Sequence, residues 1–307
     1  MNKKQDMTAQ LESGKIIPLI IKLTVPAVVA QMITFLYNTA DRMFVAKIDG
    51  SGMDALAALG IVLPVTLIMQ AFANLVGLGG SPRAGIRLGE GKTDEANRIF
   101  NTAFVLLLII GICTGALTFI FARKIVVLFG CPDSAVDFAE EYLRIYSCSS
   151  VFVMLAQGLN PFILTQGYSF FAMISVSFGA VINIILDPIF IFKFNMGVKG
   201  SSLATVLSQA CSCVLILCFF FSEKSLFKLK FSFMRLKKAR IFNILSLGIT
   251  PFVMTVTECA IQIVFNINLN ESTLGNKDYT AALTIMLSAL QLISLPLNGL
   301  GNGMQPF

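Results

Sequence analysis

Three acidic side chains stand inside long apolar stretches of a 307-residue chain: Asp41, Asp187 and Glu258. A charge within a membrane-spanning helix costs on the order of 2.5–3.5 kcal/mol on insertion scales, so each is a candidate for function. Asp187 lies in Val181-Ile182-Asn183-Ile184-Ile185-Leu186-Asp187-Pro188. Asn183 and Asp187 are four residues apart and share one helix face. Pro188 has no N–H and interrupts the helical ladder, which leaves backbone carbonyls nearby without donors. An acid, an amide and free carbonyls form an oxygen-rich set suited to Na+ or to a proton; the competing reading is a structural polar knot between helices. Thr205, in the next apolar stretch, offers a hydroxyl, although Thr commonly bonds its own helix backbone. Asp41 closes Tyr37-Asn38-Thr39-Ala40-Asp41 near a helix end. It reads either as a cation ligand or as an interfacial acid paired with Arg42 or Lys47. Glu258, in Thr257-Glu258-Cys259, reads equally as a second proton or substrate-cation site or as a structural hydrogen-bond partner.

The surrounding composition says what must hold these groups. Hydrophobic residues make up 56% of the chain, charged residues 13%, and the mean hydropathy is +0.80. A soluble domain carries about 25% charged residues, so the numbers describe an all-α polytopic membrane protein. The chain has no His and therefore none of the usual His-based triads, metal sites or proton relays. Its seven Cys lie mostly in apolar runs without a C-x-x-C pair, which suggests neither a disulfide framework nor a zinc site. No phosphate-binding loop of the ATPase type occurs, and Gly77-x-Gly79-Gly80 ends a span rather than opening a dinucleotide fold. No enzyme activity, cofactor or nucleic-acid partner is expected. The 27 Phe and 13 Met either line a cavity for lipophilic cations or pack helices and face lipid.

A spanning helix needs about 20 apolar residues. Runs between charges give eight spans, at 19–40, 56–80, 99–121, 142–164, 168–192, 198–221, 241–268 and 279–305. With the N-terminus inside, 15 of the 23 basic residues fall in inner segments, and the outer ones hold Asp133, Asp137, Glu140 and Glu141. The positive-inside rule therefore predicts a cytoplasmic N-terminus and a multi-pass protein of the cell membrane. The basic stretch 222–240 reads as an orienting cytoplasmic loop that touches lipid headgroups.

The spans repeat. Leu23-Thr24-Val25-Pro26 in span 1 matches Gly248-Ile249-Thr250-Pro251 in span 7, and Ala57-Ala58-Leu59 in span 2 matches Ala281-Ala282-Leu283 in span 8. Offsets of 222 to 225 and a common sense of crossing predict a parallel repeat of six helices. The first lobe then covers 1–225, and 226–307 holds only the start of a second lobe. A complete protein would have 12 spans, of which about eight are present, and would be a monomer.

On these residues the chain resembles the multidrug and toxic compound extrusion (MATE) family of bacterial type. The resemblance rests on Asn38-Thr39-Ala40-Asp41-Arg42-Met43-Phe44-Val45, on Ala55-Leu56-Ala57-Ala58-Leu59-Gly60 and on Gly85-Ile86-Arg87-Leu88-Gly89-Glu90-Gly91. Its most specific piece is Asn183 to Ile191, followed by Gly197-Val198-Lys199-Gly200 and Ala204-Thr205. The resemblance implies a two-lobe bundle that exports lipophilic, often cationic compounds against inward H+ or Na+ movement. It implies that Asp41, Asn183, Asp187 and Thr205 form the cation site of the first lobe, with Na+ or a proton as coupling ion, and that Pro26 is a point of helix bending. Where many members carry an Arg after the fourth span, this chain has Thr165-Gln166-Gly167. Two alternatives stand beside the exporter: a lipid-linked oligosaccharide flippase of the same superfamily, and a multi-span receptor or channel.

Overall fold

The computed structural model describes residues 16–48, 50, 52–234, 236–271, 286 and 301. Among them the regular structure is entirely helical: α1 (Ile16–Ala46), α2 (Gly52–Gly89), α3 (Thr93–Leu128), α4 (Val136–Ser147), α5 (Ser150–Thr165), α6 (Ser169–Pro188), α7 (Val198–Phe221) and α8 (Lys238–Glu271). Spans 1 to 7 of the sequence reading fall on these helices. Span 8 lies outside the described residues, except that Met286 and Gly301 are helical. At 1.5 Å per residue, the 38-residue α2 and 36-residue α3 run well beyond a bilayer core about 30 Å thick.

The fourth span differs from expectation. Residues 142–164 read as one helix, but α4 and α5 meet at a bend of 61°. The cause is local. The hydroxyls of Ser147, Ser149 and Ser150 donate to the carbonyls of Arg144, Tyr146 and Ser147, at 2.6–2.7 Å. Such bonds compete with the helical ladder where four small polar or thiol residues follow one another.

The acidic and basic ends of the bundle are distinct. One end gathers Asp54, which accepts from Ser134 at 2.9 Å, and Arg123, which pairs with Asp137 and Glu140. Arg144–Glu140 and Lys199–Glu141 complete it. The other end gathers the α2–α3 turn, the α5–α6 turn and the stretch after α7. In the first of these turns the neighbouring Lys92 and Arg87 hold Glu90 below the usual carboxylate range. Segments assigned to one side from sequence thus lie at one end in space.

After α7 the chain runs back over the basic end as a strap. Gln166 is the anchor that the Thr165-Gln166-Gly167 departure concealed. It is buried, its Oε1 accepts from the Leu226 N–H at 2.6 Å and from Ser225 Oγ at 3.2 Å, and its Nε2 donates to Phe162 O. Asn97 Oδ1 accepts from the Lys228 N–H, and Asn101 brackets the strap by donating to Lys228 O and accepting from the Lys230 N–H. The strap's Phe227 closes a fully buried cluster with Phe100, Phe162 and Phe220, at centroid distances of 4.6–5.7 Å. The packing of α3, α5 and α7 therefore continues into the strap through Lys230. Replacing Gln166 by Ala strands the Leu226 N–H and is expected to lower stability by about 1–3 kcal/mol. A thermal melt of the purified chain, with Gln166→Glu as the acceptor-keeping comparison, reads this.

α2 and α8 form the most extensive helix pair. They run antiparallel, with Gly79 against Ile244, Gly248 against Leu75, Phe72 against Phe252 and Pro64 against Cys259. The position numbers in these pairs add to nearly one value, which is the mark of a single continuous register. A β-carbon on Gly79 would fall 2.2 Å from the Ile244 carbonyl oxygen, and one on Gly248 would fall 1.8 Å from that of Leu75. Only glycine allows backbones this close.

Candidate functional site

Four helices bring the polar site together, each for a local reason. α6 carries Asn183 and Asp187 on one face, both buried. After Pro188 the helix widens into a π turn over Ile189–Lys193. The missing proline N–H removes the donor for Ile184 O, and a wider turn re-pairs the ladder one residue on. α7 faces α6 and carries Ser201 and Thr205, one turn apart. α1 continues to Ala46, so Asp41 sits in its last two turns rather than beyond its end. α4 contributes Tyr142, stacked on Tyr146 with centroids 6.0 Å apart.

The contacts are specific. Ser201 Oγ donates to Asp41 Oδ1 at 2.7 Å, across 160 residues of sequence. Asn183 Nδ2 lies 3.4 Å from both Asp187 Oδ1 and Thr205 Oγ1. Thr205 Oγ1 donates to Ser201 O at 3.1 Å, so the back-bonding expected of a membrane Thr and the site contact coexist. The Asp41 and Asp187 carboxyls lie close enough to interact electrostatically and are joined through Ser201, Thr205 and Asn183, with Tyr142 beside them. Two oxygens at the centre, Asn183 Oδ1 and Asp187 Oδ2, are buried without a partner.

The structure thus brings Asp41, Asn183, Asp187 and Thr205 into one cluster. Arg42 lies near enough to act on Asp41 electrostatically, but the Asp41 oxygen is bonded to Ser201 on another helix. Pro26 lies within α1, about four turns from Asp41 along the helix. Glu258 stands apart on α8, exposed, with the neighbouring Cys259 Sγ turned to Pro64 O at 3.3 Å. Sequence reasoning passed over Ser201 and Tyr142. Ser201 had a signal: it precedes Thr205 by four residues and so shares its face. Tyr142 had none, because its place depends on the α4–α5 bend.

Chemically the cluster is a set of hard oxygen donors around two carboxyls. Two carboxylates this close, away from water, cannot both stay charged without a cation or a shared proton. The unpartnered oxygens of Asn183 and Asp187 are acceptors, which suits either occupant. Among the described residues no group of three His, Cys, Asp or Glu converges. Replacing Ser201 by Ala removes one neutral donor to a charged acceptor, so cation binding is expected to change about three- to tenfold. Its sign separates the occupants: loss of the donor raises proton affinity at Asp41, whereas removal of a hydroxyl ligand lowers Na+ affinity. Titration of ion-dependent thermal stability checks it.

Comparison with known proteins gives a consistent picture. A family model described as MatE matches residues 26–189, more than half of the chain. The multidrug export protein MepA of Staphylococcus haemolyticus is 25% identical over 303 residues, covering 99% of this chain and 66% of that protein. MepA of Staphylococcus saprophyticus is 25% identical over 305 residues with the same coverage. Among solved structures, the MATE multidrug transporter DinF-BH superposes with a TM-score of 0.89 at 30% identity, over 95% of this chain and 64% of that one. An outward-facing MATE family transporter of the MOP superfamily superposes with a TM-score of 0.84 at 24% identity, over 96% of this chain and 64% of that one. The chain spans about two thirds of the length of the curated relatives it matches.

Proposed function

The chain belongs to the MatE family, and from that membership we propose that it supplies the first lobe and the beginning of the second lobe of a cation-coupled exporter of lipophilic, often cationic compounds. The observation that carries the reading is the meeting of Asp41 and Asp187, from α1 and α6, in a cluster with two unpartnered buried oxygens.

The chemistry follows from charge. When a proton or Na+ occupies the cluster, the two carboxyls attract a common partner, and α1 is held against α6 and α7. When it leaves, two adjacent carboxylates repel, and the least constrained helix gives way. α1 is the candidate, because Pro26 has already removed one of its ladder bonds. The freed acids then attract an organic cation. Coupling arises because one pair of charges answers to both ligands, and each ligand favours a different helix arrangement. The orientation that suits this work has the N-terminus and the basic end in the cytoplasm, in the cell membrane.

A lipid-linked oligosaccharide carrier would have to attract a pyrophosphate, and this cluster is built from acids. The acidic cluster favours the exporter.

The test is efflux of a lipophilic cationic dye from vesicles containing the complete transporter, with H+ and Na+ gradients imposed separately. Efflux driven by one gradient supports the reading and identifies the ion. Dye movement indifferent to both gradients, in protein shown to be folded, refutes it.

A further inference from the structure

The basic end carries a second charged cluster that the coupling chemistry does not use. Arg98 from α3 and Lys230 from the strap both lie against the Phe233 ring, at 5.2 and 5.3 Å from its centroid. Arg240, in the first turn of α8, reaches across to Thr102 Oγ1 at 3.3 Å and is close enough to Arg98 for mutual repulsion. Three cations from three segments thus meet at one corner. The nearby acid, Glu95, pairs with Arg87 at 3.2 Å and also attracts Arg240 from a distance, while no ion pair within 4 Å to Arg98, Lys230 or Arg240 occurs among the described residues. The N-terminus of α8, with no acid in its first turn, opens at this end and adds its positive dipole end, whereas Asp94 and Glu95 offset that of α3.

We propose that Arg98, Lys230 and Arg240 bind the phosphate of an anionic membrane lipid, joining the first lobe, the strap and α8 at the basic end of the bundle. A phosphate relieves the repulsion among the three cations and offers oxygens to two guanidinium groups at once. The lipid, rather than a free phosphate, follows from what lies beyond Arg98 on the same face of α3. Ile109 and Ile112, eleven and fourteen residues on, are exposed by 45% and 60%. At 100° per residue they stand almost in line with Arg98, so an acyl chain descending from the bound headgroup meets an apolar stripe.

The test uses the purified chain in nanodiscs of equal phosphatidylglycerol and phosphatidylcholine, with retained lipid measured by native mass spectrometry. Because such discs are symmetric and no transport is read, the result is independent of sidedness and of coupling. The expected preference for phosphatidylglycerol is on the order of tenfold. Arg98→Gln with Arg240→Gln should abolish it, while Lys47→Gln with Lys124→Gln, at the acidic end, should leave it unchanged. If the first pair does not fold, the exposed Lys230→Gln alone should reduce the preference about threefold. Equal loss in both pairs, or no loss in either basic-end variant, overturns the proposal. Displacement of the lipid by inorganic phosphate at millimolar concentration overturns the lipid assignment, since a lipid held by headgroup and chain together resists it.

Discussion

Replacing Asp187 by Asn is expected to abolish gradient-driven efflux by the complete transporter while leaving the protein folded and in the membrane. The substitution keeps shape and size and removes only the ability to change charge. The new amide still accepts from Asn183 Nδ2 through its oxygen, and its NH2 can donate to Asp41, as a protonated carboxyl would. The variant therefore imitates the proton-bound cluster and holds α1 in one place. A site that loses one of two carboxylates loses a charge-assisted contact worth about 2–3 kcal/mol, or roughly 30- to 150-fold in cation affinity. Asp41→Asn should behave similarly, with Ser201 retaining an acceptor at the amide oxygen. The measurement is initial dye efflux under the effective gradient, normalised to protein in the membrane. Efflux in Asp187→Asn equal to that of the unaltered protein would remove the acid pair from the mechanism.

The other large effect concerns the α2–α8 crossing. Gly248→Val is expected to separate the two helices and lower stability by about 3 kcal/mol or more. The added β-carbon would begin 1.8 Å from the Leu75 oxygen, and contact between nonbonded heavy atoms needs about 3.5 Å. Neither partner is a flexible side chain that can turn aside, since both are helix backbone. Gly60→Ala in the same α2 is the contrasting case, because nothing lies within 4 Å of its β-carbon. There the gain in helix propensity, up to about 1 kcal/mol, should leave the protein as stable as before or more so. Melting curves of both variants in one detergent decide the matter: equal midpoints would mean that the crossing is looser than its geometry.

What was legible in the sequence, and what was not, divides by the range of the interactions. The spans follow from hydropathy, which is local, and seven of the eight fall on the described helices. Asn183, Asp187 and Pro188 announce themselves because spacing along one helix fixes a shared face and a break. Asp41 was ambiguous, since a position near a helix end does not reveal what lies across the bundle. Its bond to Ser201 reaches α7 from an α1 that packs chiefly on α6. The α4–α5 bend escaped because serines that redirect backbone bonds hardly alter an apolar average. Gln166, Asn97 and Asn101 escaped because their partners are backbone groups, which no residue pattern encodes. The glycines ending α2 read only as the end of a span; that Gly79 admits the backbone of α8 emerges from Ile244 and Gly248, far along the chain.

The strap also imposes an order in time. A chain leaves the ribosome from its N-terminus, and all of α1 to α7 is made before Phe227. Until that ring arrives, Phe100, Phe162 and Phe220 enclose a gap at the basic end, and Gln166, Asn97 and Asn101 lack their backbone partners. Helices α1 to α7 can insert early but can be sealed at this end only when the strap leading to α8 has been synthesised. Closure of the bundle's basic end is thereby timed by the synthesis of the segment that follows it.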